Sequence, residues 1–154
     1  DTDPQIRQAV IASLLAQGPQ GRLALLEALA QDEDSRLLVI LRSNLDWQCD
    51  YDRDFFDGLT ALALDRPPLF EFVTALVDGW ALSDSLNLRD RRDIADRLVD
   101  FIEVGPVEVR WALLFTLNRL GPSAVTAFRR ALHRTDDPLI HRAIRSSLQG
   151  YGAR

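Results

Sequence analysis

The chain has 154 residues, 47% of them apolar and 27% charged, with a formal net charge of -5. That balance excludes a disordered, collagen-like or linker-rich polypeptide and allows one domain with a real core, or a short array of repeats. No apolar run reaches the ~18–20 residues of a membrane span, the N-terminus does not read as a signal peptide, and a single cysteine, Cys49, leaves no internal disulfide or cysteine-built zinc site.

Helical periodicity dominates from the first residues. Asp3 is a natural N-cap with Pro4 at the first helical position, and Ile6, Val10 and Leu14 form one apolar stripe at i, i+4, i+8. Gly18-Pro19 stops that helix. A second helix is predicted over 22–31, and a third over 36–48, where Leu37, Leu38, Val39, Ile40, Leu41 and Leu45 are apolar nearly all round. A fourth follows over 53–64. The fifth opens at Pro67-Pro68 and ends near Gly79, and 80–88 reads as an irregular crossing with Ser and Asn caps. The sixth, 89–104, turns Ile94, Leu98, Phe101 and Ile102 inward and an Arg/Asp-rich face outward. Gly105-Pro106, Gly121-Pro122 and Asp136-Asp137-Pro138 separate three more, over 107–120, 123–134 and 138–150. No segment alternates with the period of a strand, so the class is all-α.

The punctuation repeats. Asp3-Pro4-x-Ile6-Arg7-x-Ala9 returns as Asp137-Pro138-x-Ile140-His141-x-Ala143, and as Pro106-x-x-Val109-Arg110-x-Ala112 with the proline moved one place. Val109 to Ile140 is 31 residues; 31 from Ile6 reaches Leu37, and a further 32 reaches Leu69. The step from Leu69 to Val109 is 40, the excess falling in an irregular insertion near 79–105. Four helical hairpins plus a terminal helix is the natural parse, as one domain over 1–154. The absence of Met, even at position 1, reads as a processed chain or a domain of a longer protein.

This phrase, with its leucine-rich continuation and the Gly-Pro turns at 18–19 and 121–122, resembles the HEAT-like (armadillo-type, phycobilin-lyase-like) helical repeats. The likeness is good over 3–31 and 106–149 and weakest over 66–104. It implies a right-handed α-solenoid whose second helices line a concave face, and a protein-binding or scaffold role rather than catalysis. In that family the Arg of the phrase pairs with an acid of the adjacent repeat, which makes Arg7 and Arg110 structural. His141 in the same place suggests a capping unit.

Charge is divided along the chain. Residues 1–104 carry 10 Arg and 20 acids; residues 105–154 carry 8 Arg against Glu108, Asp136 and Asp137. The asymmetry points to an acidic partner for the C-terminal third: a protein or peptide segment, a phosphate-bearing ligand, or the acidic part of a second copy. All basic residues other than His are Arg, which reads as the base composition of a GC-rich genome. The expected binding residues lie on the predicted second helices: Arg92, Asp96, Arg97 and Asp100 on the sixth helix, and Arg129, Arg130 and Arg134 on the eighth. Pairing of the Arg92–Asp96 kind, i to i+4, is expected among them.

Other constellations point to chemistry less well. Asp50, Asp52 and Asp54 imitate the start of a calcium loop, but Phe55 and Ala61 stand where Gly and Glu are required; Asp52 or Asp54 reads as the cap of the fourth helix, with Phe55 and Phe56 partly in the core. Cys49, His133 and His141 have no spacing that demands a catalytic pair. Trp47, Trp80 and Trp111 invite comparison with HEAT-like alkylpurine DNA glycosylases, yet no stretch matches that active site and the acidic total argues against DNA. A phycobilin-lyase-like or chaperone-like subunit acting on a cofactor protein is the alternative. The reading is thus a cytoplasmic, non-catalytic interaction module without metal or cofactor.

Overall fold

The computed structural model describes residues 3–31, 51–82, 85–102, 105 and 107–152. The predicted helix over 36–48, with Trp47 and Cys49, lies outside them, as do the side chains of Pro4, Arg7 and Leu15. Among the described residues the fold is all-helical: α1 (Pro4–Ala16), α2 (Pro19–Gln31), α3 (Arg53–Asp65), α4 (Leu69–Leu82), α5 (Leu88–Ile102), α6 (Val107–Arg119), a 3-10 turn (Gly121–Ala124), α7 (Val125–Arg134) and α8 (Pro138–Gly150). None of these helices is long and apolar enough to cross a membrane. The chain divides into two compact units, Asp1–Leu76 and Val77–Arg154, with the division inside α4.

In the first unit, Asp3 accepts a hydrogen bond from the Gln5 N–H at 2.9 Å and so caps α1. Gly18, at φ +78°, turns the chain in a conformation that only glycine adopts cheaply. Pro19 then opens α2 three residues earlier than the periodicity suggested, because its fixed φ suits the first helical position. Helices α1 and α2 pack together, and α2 packs on α3. The α1–α2 approach is close enough that Gly21 is buried. Asp52 caps α3 by accepting from the N–H groups of Asp54 (3.0 Å) and Phe55 (3.2 Å). Phe55 and Phe56 lie wholly in the core rather than partly. Arg66 donates to the carbonyls of Leu29 (2.6 Å) and Ala30 (2.8 Å), placing a cation at the negative end of α2.

One stripe departs from its expected place. Ile6 and Val10 are 49% and 50% exposed, and on α1 it is Ile11 that is buried. The phrase aligns Ile6, Val10 and Leu14 with Val109, Leu113 and Leu117 on α6 and with Ile140, Ile144 and Leu148 on α8, and both of those later stripes are buried. Among the described residues, α6 and α8 each pack on the helix that precedes them, α5 and α7 respectively, and α1 packs on the helix that follows it, α2.

In the second unit, α4 continues through Trp80, Ala81 and Leu82, beyond its expected end near Gly79. Buried Trp80 anchors that extra turn, its carbonyl accepting from the Ser85 hydroxyl at 3.3 Å. Asn87 caps α5 through the Asp90 N–H at 2.8 Å. Helix α5 packs on α6 and α7, α7 on α8, and α6 on α8. Gly121, at φ +71°, makes the turn into the 3-10 segment that leads to α7, as Gly18 does between α1 and α2. Asp137 caps α8 by accepting from the Leu139 N–H at 2.9 Å, repeating the geometry of Asp3. The basic residue of the phrase turns back on the loop before its own helix: Arg110 Nε donates to the Gly105 carbonyl at 2.9 Å, and His141 Nε2 meets the Thr135 carbonyl. The Tyr151 hydroxyl donates to the Asn118 carbonyl at 2.7 Å, joining the C-terminal ends of α6 and α8. Those two helices therefore run in the same direction.

Candidate functional site

The residues expected to form a binding face sit on α5 and α7. Helix α5 is strongly amphipathic: Ile94, Ala95, Leu98, Val99, Phe101 and Ile102 are buried, and Arg89, Arg92, Asp96 and Asp100 are exposed. Helix α7 buries Ala127, Phe128 and Ala131 and exposes Arg129, His133 and Arg134, with Arg130 half-buried. Small Ala127 and Ala131 let α7 come close to α5, which brings the long arginines of one helix over the aspartates of the other.

The result is a cross-helix ladder. Arg130 Nη1 lies 3.6 Å from Asp96 Oδ1, and its Nη2 donates to the Asp96 backbone carbonyl at 2.5 Å. The same Nη2 lies 3.5 Å from Asp100 Oδ1, and Arg134 Nη1 donates to that oxygen at 2.6 Å. Asp96 thus turns to Arg130 on the neighbouring helix, not to Arg92 one turn earlier on its own, because a guanidinium that also reaches a backbone carbonyl holds a fixed geometry that an exposed i, i+4 pair lacks. The carbonyl is the signal sequence could not supply. Arg92 and Arg129 are exposed, and among the described residues neither has an ion pair. Arg97 is half-buried. The ladder therefore takes up Asp96, Asp100, Arg130 and Arg134 as a seam between helices and leaves Arg92 and Arg129 facing solvent.

Two further charged contacts escaped the sequence reading, since their partners lie far apart in the chain. Arg22 Nε donates to Asp52 Oδ2 at 2.8 Å, both side chains being largely covered. Burial pushes the Asp52 carboxyl up, but the Arg22 hydrogen bond and the capping N–H groups outweigh it, and the net shift is below the usual value. Asp78 lies 3.3 Å from Arg119 Nε without a well-aligned hydrogen bond to that oxygen. Burial there pushes the carboxyl up, and Arg119 offsets it only in part. Among the described residues no three His, Cys, Asp or Glu side chains gather as metal ligands.

The second unit also carries an open groove of about 430 Å³ along α8, lined by Pro138, His141, Arg142, Arg145, Ser146 and Gln149. The sequence reading had passed over it. Alignment of the phrase would have found part of it, since Arg142 and Ser146 lie opposite the buried stripe Ile140, Ile144, Leu148, while His141 flanks it. The chain matches no protein-family model, no curated protein and no solved structure.

Proposed function

We propose that the chain is a HEAT-like α-solenoid array serving as a non-enzymatic protein-binding module, with the polar face of its second helices open to an acidic peptide or partner domain. One observation carries the reading. Cross-helix bonds join residues about one repeat length apart in the second unit: 34 residues from Asp96 to Arg130 and from Asp100 to Arg134, 30 from Asp100 to Arg130, and 33 from Asn118 to Tyr151. Separations close to the 31-residue spacing of the phrase are what stacked repeats would produce, and such stacking presents rows of side chains. The matching caps at Asp3 and Asp137, and the matching left-handed glycines at 18 and 121, support the same repeat unit.

Of the expected arginines on that face, Arg92 and Arg129 are exposed and, among the described residues, lie outside the ladder. A display selection of random peptides on the intact chain tests the proposal. Enrichment of acidic sequences that bind wild type and lose at least tenfold in affinity on Arg92→Glu with Arg129→Glu is the expected result. Enrichment of nothing above background, or binding unaffected by that double variant, would refute the assignment of this face.

A further inference from the structure

The opposite face of the same unit carries a different chemistry. Helices α6 and α8 are parallel neighbours, so residues opposite their buried stripes look outward together. On α6 these are Val107 (54% exposed), half-covered Trp111 and Phe115 (68% exposed), at i, i+4, i+8. On α8 they are Leu139 (60% exposed), Arg142 and Ser146, with Arg145 and Gln149 beside them in the groove. Val107 and Phe115, exposed on one helix face with half-covered Trp111 between them, contribute little to that helix's own core. An apolar stripe rimmed by polar groups is the usual mark of a contact surface, and aromatic and arginine side chains are the usual anchors of one. The groove's lining contains two arginines and a histidine and no carboxylate, and α8 itself has no acid along Pro138–Gly150.

The geometry points to the outer face of α6 and α8 as a docking site for an acidic amphipathic peptide. Its apolar side chains lie along Val107, Trp111 and Phe115, and its carboxylates meet Arg142 and Arg145. This deepens the protein-binding reading above and rests on it, but assigns the contact to the other layer. From Val107 to Phe115 the stripe spans about 12 Å of helix axis, enough for anchors on two successive turns of a partner helix. Nucleic acid fits less well: duplex affinity comes largely from neutralising many phosphates, the groove offers two arginines, and exposed Phe115 has no phosphate to meet.

The probe is a fluorescein-labelled helical peptide with Leu, Phe and Leu at i, i+4 and i+7 and four glutamates on one flank, titrated with the intact chain and followed by anisotropy. Saturable binding is expected. Phe115→Ala should weaken it about tenfold, the effect of losing one well-placed aromatic anchor. Arg142→Glu with Arg145→Glu should weaken it at least as much, and a Gln-for-Glu peptide should lose affinity in parallel. All of these side chains are exposed, so circular dichroism and Tm of the variants should match wild type. The site is overturned by no saturation at millimolar chain, by Phe115→Ala binding like wild type, or by an oligothymidine binding equally well and indifferently to Phe115→Ala. Concentration-dependent self-association in sedimentation, abolished by Phe115→Ala, would replace the peptide with a second copy and overturn it too. Peptide binding lost on Arg92→Glu with Arg129→Glu but kept on Phe115→Ala would sink this inference while leaving the protein-binding reading intact.

Discussion

Replacing Gly21 by alanine sets two physical effects of opposite sign against each other. Ala is the better helix former by about 1 kcal/mol, and it also lowers the entropy of the unfolded chain. At an open helical position the substitution should therefore stabilise. Gly21 is not open: a Cβ built there falls 1.7 Å from the Leu14 carbonyl oxygen of α1, while real Cβ atoms stay at 3.0 Å or more. The difference, about 1.3 Å, must come from moving α2 off α1, since the obstacle is backbone and has no rotamer to adopt. That motion disturbs Leu25 and Leu29, both buried on α2. Overpacking against flexible side chains costs about 1–3 kcal/mol, and a rigid backbone obstacle belongs at the top of that range. Gly21→Ala should thus destabilise by about 2 kcal/mol after the propensity gain is set against it. Gly79 is the control: it lies inside α4 with no atom within 4 Å of its Cβ position, so Gly79→Ala should stabilise by up to about 1 kcal/mol. Urea unfolding followed by far-UV circular dichroism measures both. Amide exchange in α1 and α2 localises the first, because two compact units need not unfold in one step. A Gly21→Ala protein as stable as Gly79→Ala would refute the α1–α2 contact.

Other expectations concern charge. In the unfolded chain Asp52 titrates near its ordinary 3.8, and in the folded chain it titrates lower. Its stabilisation is therefore full above 3.8 and is lost as pH falls through the folded value. Asp52→Asn keeps a capping oxygen but loses the charged bond to Arg22, so it should cost about 1.5–3 kcal/mol at pH 7 and progressively less below pH 4 in urea titrations. Asp78 has the opposite sign: its folded value is raised, so ionisation burdens the fold increasingly as pH climbs from 3.8 through that value, and the burden is complete above it. Asp78→Asn should be neutral to about 1 kcal/mol stabilising at pH 7, and a clear loss of Tm would contradict this. In the ladder, a double-mutant cycle on Asp100→Asn and Arg134→Gln should give a coupling of about 0.5–1 kcal/mol, the scale of well-formed exposed pairs. The cycle on Arg92→Gln and Asp96→Asn should give almost none, because Asp96 faces Arg130.

What the sequence disclosed was whatever depends on residues within a turn of one another. Asp3 caps α1 as expected, Asp52 is the one of the Asp52/Asp54 alternatives that caps α3, Asn87 is the Asn cap expected in 80–88, and Asp137 of the Asp136-Asp137-Pro138 start signal caps α8, since an N-cap needs only its own side chain and an N–H two or three residues on. Gly18 and Gly121 turn the chain as expected, for the same reason. The longer-range contacts had no local trace. Arg22 and Asp52 are 30 residues apart, Arg66 and Leu29 are 37, and nothing near either arginine marks its partner. The candidate face was half legible: periodicity put Arg92, Asp96, Asp100, Arg129, Arg130 and Arg134 on outward faces, but only the packing of α7 on α5 decides which of them neutralise one another.

The three aligned stripes take this a step further. Ile6, Val10 and Leu14 match Val109, Leu113, Leu117 and Ile140, Ile144, Leu148 in spacing and in apolar character, so no local property separates them. What differs is the neighbour. Among the described residues, α6 and α8 each have the preceding helix against them and a buried stripe, and α1 packs on α2 with Ile6 and Val10 half open. Periodicity therefore states which side of a helix can be covered, and the packing partner states whether it is. The same logic applies to Phe115, which α8 answers with Ser146 at the aligned position: an aromatic side chain kept outward, where the repeat tolerates a polar one, is unaccounted for by the fold's own packing.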